Sequence, residues 1–250
     1  MVATIVNALA VIIGTLIGRV SGKRIGTQFR HTVFSGVGVA SLLIGISMAL
    51  QSQRILYMVL SLVIGGIIGA ALGVEDRIYA FGEWLKARFH VDPDDTARVS
   101  APAEGGDETS RHGFAEGFLV ASVLFCVGAL SIIGSFQAGV DGDYTLIFTK
   151  SVMDGFMAIL LTTAYGIGVG FSAIAIIAYQ GGLTLLAGVL APFVNALMIS
   201  EISGVGGAMV VMIGINLLDL RKIKTGDFLP ALVIVIALVL ADPFFQRLAF

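Results

Sequence analysis

Charged side chains are scarce in this sequence of 250 residues. Asp, Glu, Lys and Arg together make up 13% of the chain, whereas hydrophobic residues make up 57%. About 25% of the residues of an ordinary soluble domain are charged, so this chain lacks the side chains that a water-exposed surface needs. The composition therefore excludes a soluble globular protein and indicates a protein that is integral to a membrane.

The chain is also poor in groups that carry catalysis or bind metals. It has a single cysteine, Cys126, which lies in an apolar run and can form neither an internal disulfide nor a Cys/His metal cluster. It has no His-Glu-x-x-His pair and no Gly-x-Ser-x-Gly motif. We therefore expect neither an enzyme nor a cofactor or metal centre.

Apolar segments of membrane length dominate the chain instead. A bilayer core about 30 Å thick requires roughly 20 residues of helix, and a helix satisfies its own backbone hydrogen bonds there. The pattern predicts an all-α, polytopic transmembrane bundle of about eight spans. These spans run approximately over residues 2–20, 33–50, 55–74, 114–136, 146–165, 170–199 with an interruption, 203–219 and 228–243.

One sizeable segment, residues 75–113, lies outside the spans. It divides the chain into a first membrane region, residues 1–74, and a second, residues 114–250. Residues 75–89 place apolar side chains on one helical stripe, which predicts a helix on the membrane surface. Residues 90–111 are rich in Asp, Pro, Gly, Ser and Thr, which predicts a flexible linker.

The distribution of Lys and Arg predicts the orientation of the spans. Basic groups that begin with Arg19, Arg77 and Arg221 follow the first, third and seventh spans. Short cytoplasmic loops carry such positive charge, so these three loops are expected inside. With eight spans, of which the sixth crosses once, both termini then face outward.

Parts of the sequence repeat. Residues 30–43 match residues 111–124 at half of their positions, and Ser203–Ala208 repeats Ser35–Ala40 with a single change. The second and seventh spans run in opposite directions in this topology, so the copy at Ser203 is inverted relative to the copy at Ser35. Inverted repeats are typical of carriers that work by alternating access.

Two glycine clusters predict interruptions of the helices. Gly166, Gly168 and Gly170 alternate along the chain, which makes no helix face and predicts an unwound turn or hinge. The sixth span is interrupted by Gln180–Gly182. Irregular backbone at membrane depth persists only where it is buried in protein or lines a wet cavity, so we expect a broken helix with a binding site there. A short loop between half-length helices, or a simple kink, is the alternative.

Few ionisable residues lie in the apolar runs. Lys150 and Asp154 are four residues apart, on one helix face. A carboxylate at the centre of a span costs about 2.5 to 3.5 kcal/mol, so Asp154 is either a proton or cation site or simply the ion-pair partner of Lys150. If the helix instead begins after Lys150, Asp154 lies in its first turn and complements the helix dipole. Glu201 is either an outer gate or another first-turn carboxylate.

Small and amide side chains indicate close contacts between helices. Asn7, Asn195 and Asn216 are expected to donate hydrogen bonds across helices. Glycines repeat at intervals of four in the first and third spans, which predicts close packing within the chain or between copies in a homo-oligomer. These glycines are Gly14, Gly18, Gly22, Gly65, Gly69 and Gly73.

Several motifs in combination resemble a known family. They are Lys150–Gly155, Tyr165–Val169, Tyr179–Gly181, Gly204–Gly207 and Asp227–Ala231. Together they are similar to the bacterial membrane proteins of domain-of-unknown-function family 554, the YqgA-like proteins, over essentially the whole chain. The resemblance implies a multi-pass protein of the bacterial cytoplasmic membrane, with transport as the expected activity. It assigns no catalytic residues.

These observations favour a small secondary transporter. We expect its site where Gln180, Gly181 and Gly182 meet Lys150 and Asp154, with H⁺ or Na⁺ as a coupling ion. A channel, or an oligomeric scaffold or sensor that transports nothing, is the alternative. The expected partners are the lipid bilayer, a small solute and a second copy of the chain, and no nucleic acid.

Overall fold

A computed structural model describes residues 1–22, 27–89 and 112–248, and this part of the chain contains ten α-helices and no β-strand. A π-helical turn, Gln137–Asp141, follows α6, and short 3₁₀ turns precede α9 and α10. The helices are α1 (Val2–Gly22), α2 (Thr27–Ala49), α3 (Ile55–Leu72), α4 (Val74–Arg88), α5 (His112–Cys126), α6 (Ala129–Phe136), α7 (Thr145–Tyr165), α8 (Gly168–Leu190), α9 (Ala196–Leu217) and α10 (Pro230–Leu248).

Six helices of the described part are long and apolar enough to cross a membrane, namely α1, α3, α7, α8, α9 and α10. Helices α5 and α6 form one more candidate span, which is bent by 58° at a short break. The apolar segment of α2, Ser35–Ala49, is shorter. The predicted spans match these units in number and order, and the prediction of an all-α polytopic bundle is confirmed. The predicted boundary between the sixth and seventh spans is wrong, because α8 ends at Leu190 rather than at residue 199 and α9 begins at Ala196 rather than at residue 203.

The predicted break at Gln180–Gly182 is wrong. Helix α8 is continuous from Gly168 to Leu190, so the sixth span is a single uninterrupted helix. A glycine costs only about 1 kcal/mol in a helix, whereas each backbone group left unpaired in lipid costs several. Two adjacent glycines are therefore not enough to unwind α8.

The observed break lies in the fourth span, at Val127 and Gly128. Gly128 has φ of +154°, a conformation that favours glycine. The side chain of Val127 occupies the space that Gly206 of α9 leaves by having no side chain. Ser131 Oγ donates a hydrogen bond of 3.0 Å to the Phe125 carbonyl across the break. The polar backbone groups at this break are thus partly satisfied within the protein.

The predicted hinge is confined to one glycine. Gly166 ends α7 with φ of +80°, and α8 begins two residues later. Gly168 and Gly170 already lie inside α8, which corrects the prediction that they belong to an unwound turn. Their lack of a side chain serves packing, because Gly168 meets the backbone of Phe114 and Gly170 meets Thr15.

Glycines of both stripes pack against other helices of the same chain. Gly73 does not, because it is the left-handed residue that ends α3. A side chain at Gly14 would collide with Gly155 of α7, and a side chain at Gly65 would collide with Ala231 of α10. Helices α1 and α7 run parallel, since Gly18, later in α1, meets Thr162, later in α7. Small residues let these backbones approach closely, as the spacing predicted.

Helix α4 follows α3 after a left-handed Gly73. Its buried Gly82 packs on Ala115 of α5, and Trp84 is exposed on another side. The helix predicted over residues 75–89 is therefore present. The linker predicted over residues 90–111 lies outside the described residues.

Candidate functional site

Four polar side chains from three helices meet inside the bundle. They are Asn7 of α1, Lys150 and Asp154 of α7, and Gln180 of α8, and we refer to them as the Asp154 cluster. Asn7 is 0% exposed and Asp154 is 7% exposed. Side chains that are buried this deeply in membrane-spanning helices need hydrogen-bonding partners.

Asn7 is the centre of the hydrogen bonds in the cluster. Its Nδ2 donates to Asp154 Oδ2 at 3.1 Å and to Gln180 Oε1 at 3.0 Å. Lys150 Nζ donates to the same Asp154 Oδ2 as an ion pair. Gln180 Nε2 donates a hydrogen bond of 3.4 Å to Thr4 Oγ1. One network of polar groups therefore joins α1, α7 and α8.

One acceptor in the cluster is left over. Asn7 Oδ1 is buried and has no hydrogen-bond partner among the described residues. An unsatisfied buried acceptor costs about 1 to 3 kcal/mol, so native proteins rarely retain one without a role.

The cluster lies deep in its helices. Helix α7 begins at Thr145, nine residues before Asp154, which corresponds to about 13 Å along the helix axis. Asp154 is therefore in the middle of the 21-residue helix rather than in its first turn. The alternative in which Asp154 only complements the dipole at the start of the helix is wrong.

The broken span of α5 and α6 packs along α7, the helix that carries Lys150 and Asp154. Gly117 of α5 packs on Tyr165 and Gly134 of α6 packs on Ile147, so the broken span runs antiparallel to α7. The break at Gly128 lies along the chain between these two contacts with α7.

The sequence predicted some members of the cluster and missed others. Lys150, Asp154 and Gln180 come together as predicted, and Asn7 was expected only to link helices. Gly181 and Gly182 lie beside the cluster in regular helix. A side chain at Gly181 would face Met1 and Thr4, and one at Gly182 would meet open space.

Thr4 was not predicted, although it lies on the same face of α1 as Asn7, three residues away. The other two asparagines act within their own segments. Asn195 accepts a hydrogen bond from Met198 N at the start of α9, and Asn216 contacts the backbone of Ile223.

Glu201 is not hydrogen bonded to the Asp154 cluster in the described part of the chain. It is fully buried in α9 and accepts hydrogen bonds from Ser52 Oγ at 2.7 Å, Gln53 N at 2.7 Å and Arg54 N at 2.8 Å. Its carboxylate therefore binds the start of α3, where a negative charge complements the helix dipole. The expectation of a carboxylate in the first turn of its own helix is wrong, because α9 begins five residues earlier.

A second carboxylate contact joins the start of α4 to the 3₁₀ turn that precedes α10. The backbone N–H of Glu75 donates to Asp227 Oδ1 at 3.0 Å, and the N–H of Gly226 donates to Glu75 Oε2 at 2.7 Å. Burial raises the pKa of Glu75 to about 7. The Gly226 N–H opposes this rise, and the Asp227 carboxylate adds to it. No local feature of the sequence indicates this pair, whose partners are 152 residues apart.

Comparison with known proteins agrees with the family resemblance. The family described as "Protein of unknown function (DUF554)" matches residues 2–240. The uncharacterized membrane protein YdfK of Bacillus subtilis (strain 168) is 31% identical over 238 residues, which cover 94% of this chain and 93% of YdfK. The uncharacterized protein YqgA of Escherichia coli (strain K12) is 25% identical over 238 residues, covering 95% and 96%. No solved structure matches. Because the match spans nearly its whole length, this chain belongs to the DUF554 family.

Proposed function

We propose that this protein is a secondary transporter of a small solute in the bacterial cytoplasmic membrane, and that the Asp154 cluster is its binding site. The observation that carries the proposal is the buried network of Asn7, Lys150, Asp154 and Gln180, which joins three helices midway along α7. Charged groups at that depth are costly, and in membrane proteins they mark ion and substrate pathways.

The break in the fourth span supports a carrier. Carriers commonly bind their substrate or coupling ion beside discontinuous helices near the middle of the membrane. Here the break at Gly128 lies between the contacts that α5 and α6 make with opposite ends of α7, the helix that carries Lys150 and Asp154. An ion pair that only linked two turns of α7 would need neither a broken neighbour nor the bridge from Asn7 to α8.

Pairing of helices also supports the inverted repeat. When Ser35 is aligned with Ser203, residues 2–22 fall on residues 170–190, which lie within α8. By the same alignment, residues 27–49 fall on residues 195–217, which are the bounds of α9 to within one residue. Two helices of each half thus share their lengths and their order.

Helix α1 packs antiparallel to its proposed counterpart α8. Helices α2 and α3 likewise pack antiparallel to α9 and α10. Thr4 meets α8 near its middle and Thr15 meets α8 near its start. Gly38 meets the end of α9, and Gly45 meets its middle. Helices α3 and α10 pair in the same way. These contacts favour a two-fold axis in the membrane plane, the symmetry that many alternating-access carriers use.

The two carboxylate contacts give the proposed carrier a gate on each side. With both termini outside, Glu201 fastens the loop between α2 and α3 at the outer end, as an outer gate would. Glu75 and Asp227 fasten the loop between α9 and α10 at the inner end. The Asp154 cluster lies between them, and we propose H⁺ or Na⁺ as its coupling ion.

Uptake into proteoliposomes tests this function. Amino acids, carboxylates and sugars are first screened for thermal stabilisation of the purified protein, because a ligand at 100 times its Kd stabilises by about 2.7 kcal/mol. The best hit is then tested for saturable uptake and counterflow, which a channel or scaffold would not show. Asp154→Asn is expected to abolish uptake, whereas Asp219→Asn, at an exposed loop position, should retain it. Full uptake and unchanged pH dependence in Asp154→Asn would exclude this site.

A further inference from the structure

We infer that the Asp154 cluster is a binding site for a monovalent alkali cation, and that the Lys150 ammonium is a built-in competitor which the cation displaces. The inference concerns the binding chemistry of the cluster, and it rests on the proposed transport function only for the use that the protein makes of that binding. The geometry of Asn7 carries the argument.

Two acceptor oxygens of the cluster share one donor. Asn7 Nδ2 lies 3.1 Å from Asp154 Oδ2 and 3.0 Å from Gln180 Oε1. The two oxygens, Asp154 Oδ2 and Gln180 Oε1, therefore lie on either side of Asn7 Nδ2. A rotation of the Asn7 amide by half a turn exchanges its nitrogen and its oxygen, which are nearly equal in size. Three oxygens would then converge on the same small volume.

The unpartnered oxygen of Asn7 is the independent observation. Asn7 is 0% exposed, and its Oδ1 finds no hydrogen-bond donor in the described part of the chain. In the present arrangement the amide turns its N–H groups towards two acceptors and leaves Oδ1 unsatisfied. A bound cation reverses this preference, because it attracts Oδ1. A cation thus gives the unused acceptor a partner.

The donor set suits a hard ion of low charge. It consists of one carboxylate, two side-chain amide oxygens and, at its edge, the hydroxyl of Thr4, which is 1% exposed. Oxygen donors of these kinds bind hard cations. One carboxylate balances one positive charge, which favours a monovalent ion. No group of three His, Cys, Asp or Glu residues suited to a metal ion is found among the residues described.

The Lys150 ammonium takes the place that a bound cation would have beside the Asp154 carboxylate. Its Nζ donates to Asp154 Oδ2, the same oxygen that Asn7 contacts. Lys150 is five residues from the start of α7, about 7 Å along the axis. A flexible lysine side chain can extend its ammonium towards that end of the helix and keep its stem in the apolar interior. Because one carboxylate balances one positive charge, we expect a bound cation to displace the Lys150 ammonium from Asp154.

Thermal unfolding of the purified protein in NaCl tests the inference, with choline chloride at equal ionic strength as the reference salt. The wild-type protein should gain a saturable rise in its unfolding midpoint with Na⁺ and none with choline. Lys150→Gln should bind Na⁺ at least about 10-fold more tightly, because the competitor is gone. Asn7→Leu should lose the response, and Asp219→Asn should keep it.

The outcomes separate this inference from the transport proposal. Equal effects of Na⁺, Li⁺, K⁺ and choline on the wild-type protein would overturn the cation site, and this result does not depend on any variant folding. Weaker Na⁺ binding in Lys150→Gln would overturn the competitor role of Lys150. Solute uptake without cation-specific stabilisation would leave the carrier standing without this site. Specific Na⁺ binding without uptake of any solute would support the cation site and contradict the transport function.

Discussion

Glu75 and Asp227 are joined by two reciprocal hydrogen bonds between side-chain carboxylates and backbone N–H groups. Asp227 Oδ1 accepts the backbone N–H of Glu75 at 3.0 Å, and Glu75 Oε2 accepts the N–H of Gly226, the residue before Asp227, at 2.7 Å. Each carboxylate thus binds the backbone beside the other, between the start of α4 and the 3₁₀ turn before α10. Nearby, Lys224 forms an exposed ion pair of 3.0 Å with Asp76.

This contact makes stability depend on pH. The folded protein raises the pKa of Glu75 from 4.5 to about 7, mainly by burial. Between these values the folded state binds more protons than the unfolded state, so stability falls as pH rises from about 4.5 to about 7 and is level above. The pKa difference of about 2.5 sets an upper limit of about 3 kcal/mol on the loss over this window. Urea unfolding of the purified protein between pH 4.5 and pH 8 measures it.

Glu75→Gln should remove this slope. Glu83→Gln, at a more exposed glutamate of the same helix, provides the matched control and should retain it. An unchanged pH profile in Glu75→Gln would show that another group is responsible.

The Lys150–Asp154 pair should show strong coupling in a double-mutant cycle. Removal of one partner leaves an uncompensated buried charge, which costs about 3 to 5 kcal/mol. Lys150→Met and Asp154→Leu should each destabilise the protein by such an amount, and the double variant by less than the sum of the two. Additive effects would indicate that the two charges are solvated separately.

Gly206 should be intolerant of even one methyl group. A Cβ at this position would overlap Val127 at the break between α5 and α6. Gly206→Ala is expected to cost about 1 to 3 kcal/mol through overpacking, and Val127→Ala in the same chain should restore most of it. Gly182→Ala is the matched control, because a methyl group there meets open space. Thermal unfolding in detergent compares the variants.

Glu201→Gln should loosen the start of α3. The carboxylate accepts three hydrogen bonds, from Ser52, Gln53 and Arg54, and charge-assisted bonds of this kind are stronger than neutral ones. We expect a loss of about 1 to 3 kcal/mol. Faster amide hydrogen exchange at residues 52–58 would locate the effect, and Glu83→Gln should leave that segment unchanged.

The proposed topology is open to a labelling test. In a Cys126→Ala background, cysteines replace Asp141, the last residue of the π-helical turn before α7, and Lys222, in the loop after α9. Both positions are exposed. A membrane-impermeant maleimide should label Asp141→Cys on intact spheroplasts and Lys222→Cys only after permeabilisation. The opposite result would invert the protein in the membrane.

Hydropathy alone was enough to locate the spans, because the length and the apolar character of a membrane helix are imposed locally by the bilayer. The Lys150–Asp154 pair was equally predictable, since a spacing of four residues places both side chains on one helix face. Asn7 could not be assigned to the same site from the sequence. Its partners are 147 and 173 residues away, and their meeting depends on the packing of three helices.

The position of the helix break was misjudged for a related reason. Two adjacent glycines at Gly181 and Gly182 gave the stronger local signal, yet α8 retains its hydrogen bonds there. The break occurs at Gly128, where α9 offers a space at Gly206 for the neighbouring Val127. Whether a helix breaks at a glycine therefore depends on how a neighbouring helix packs against it, and hydropathy carries no information on that packing.

The distance along the chain between Asn7 and its partners also constrains biogenesis. Asn7 leaves the ribosome 147 residues before Asp154 and 173 residues before Gln180. At roughly 5 to 20 residues per second, α1 waits on the order of ten seconds or more with its amide lacking these partners. During that interval the insertion machinery or water must solvate the amide, so assembly of this bundle ends only when its first helix is captured by helices made much later.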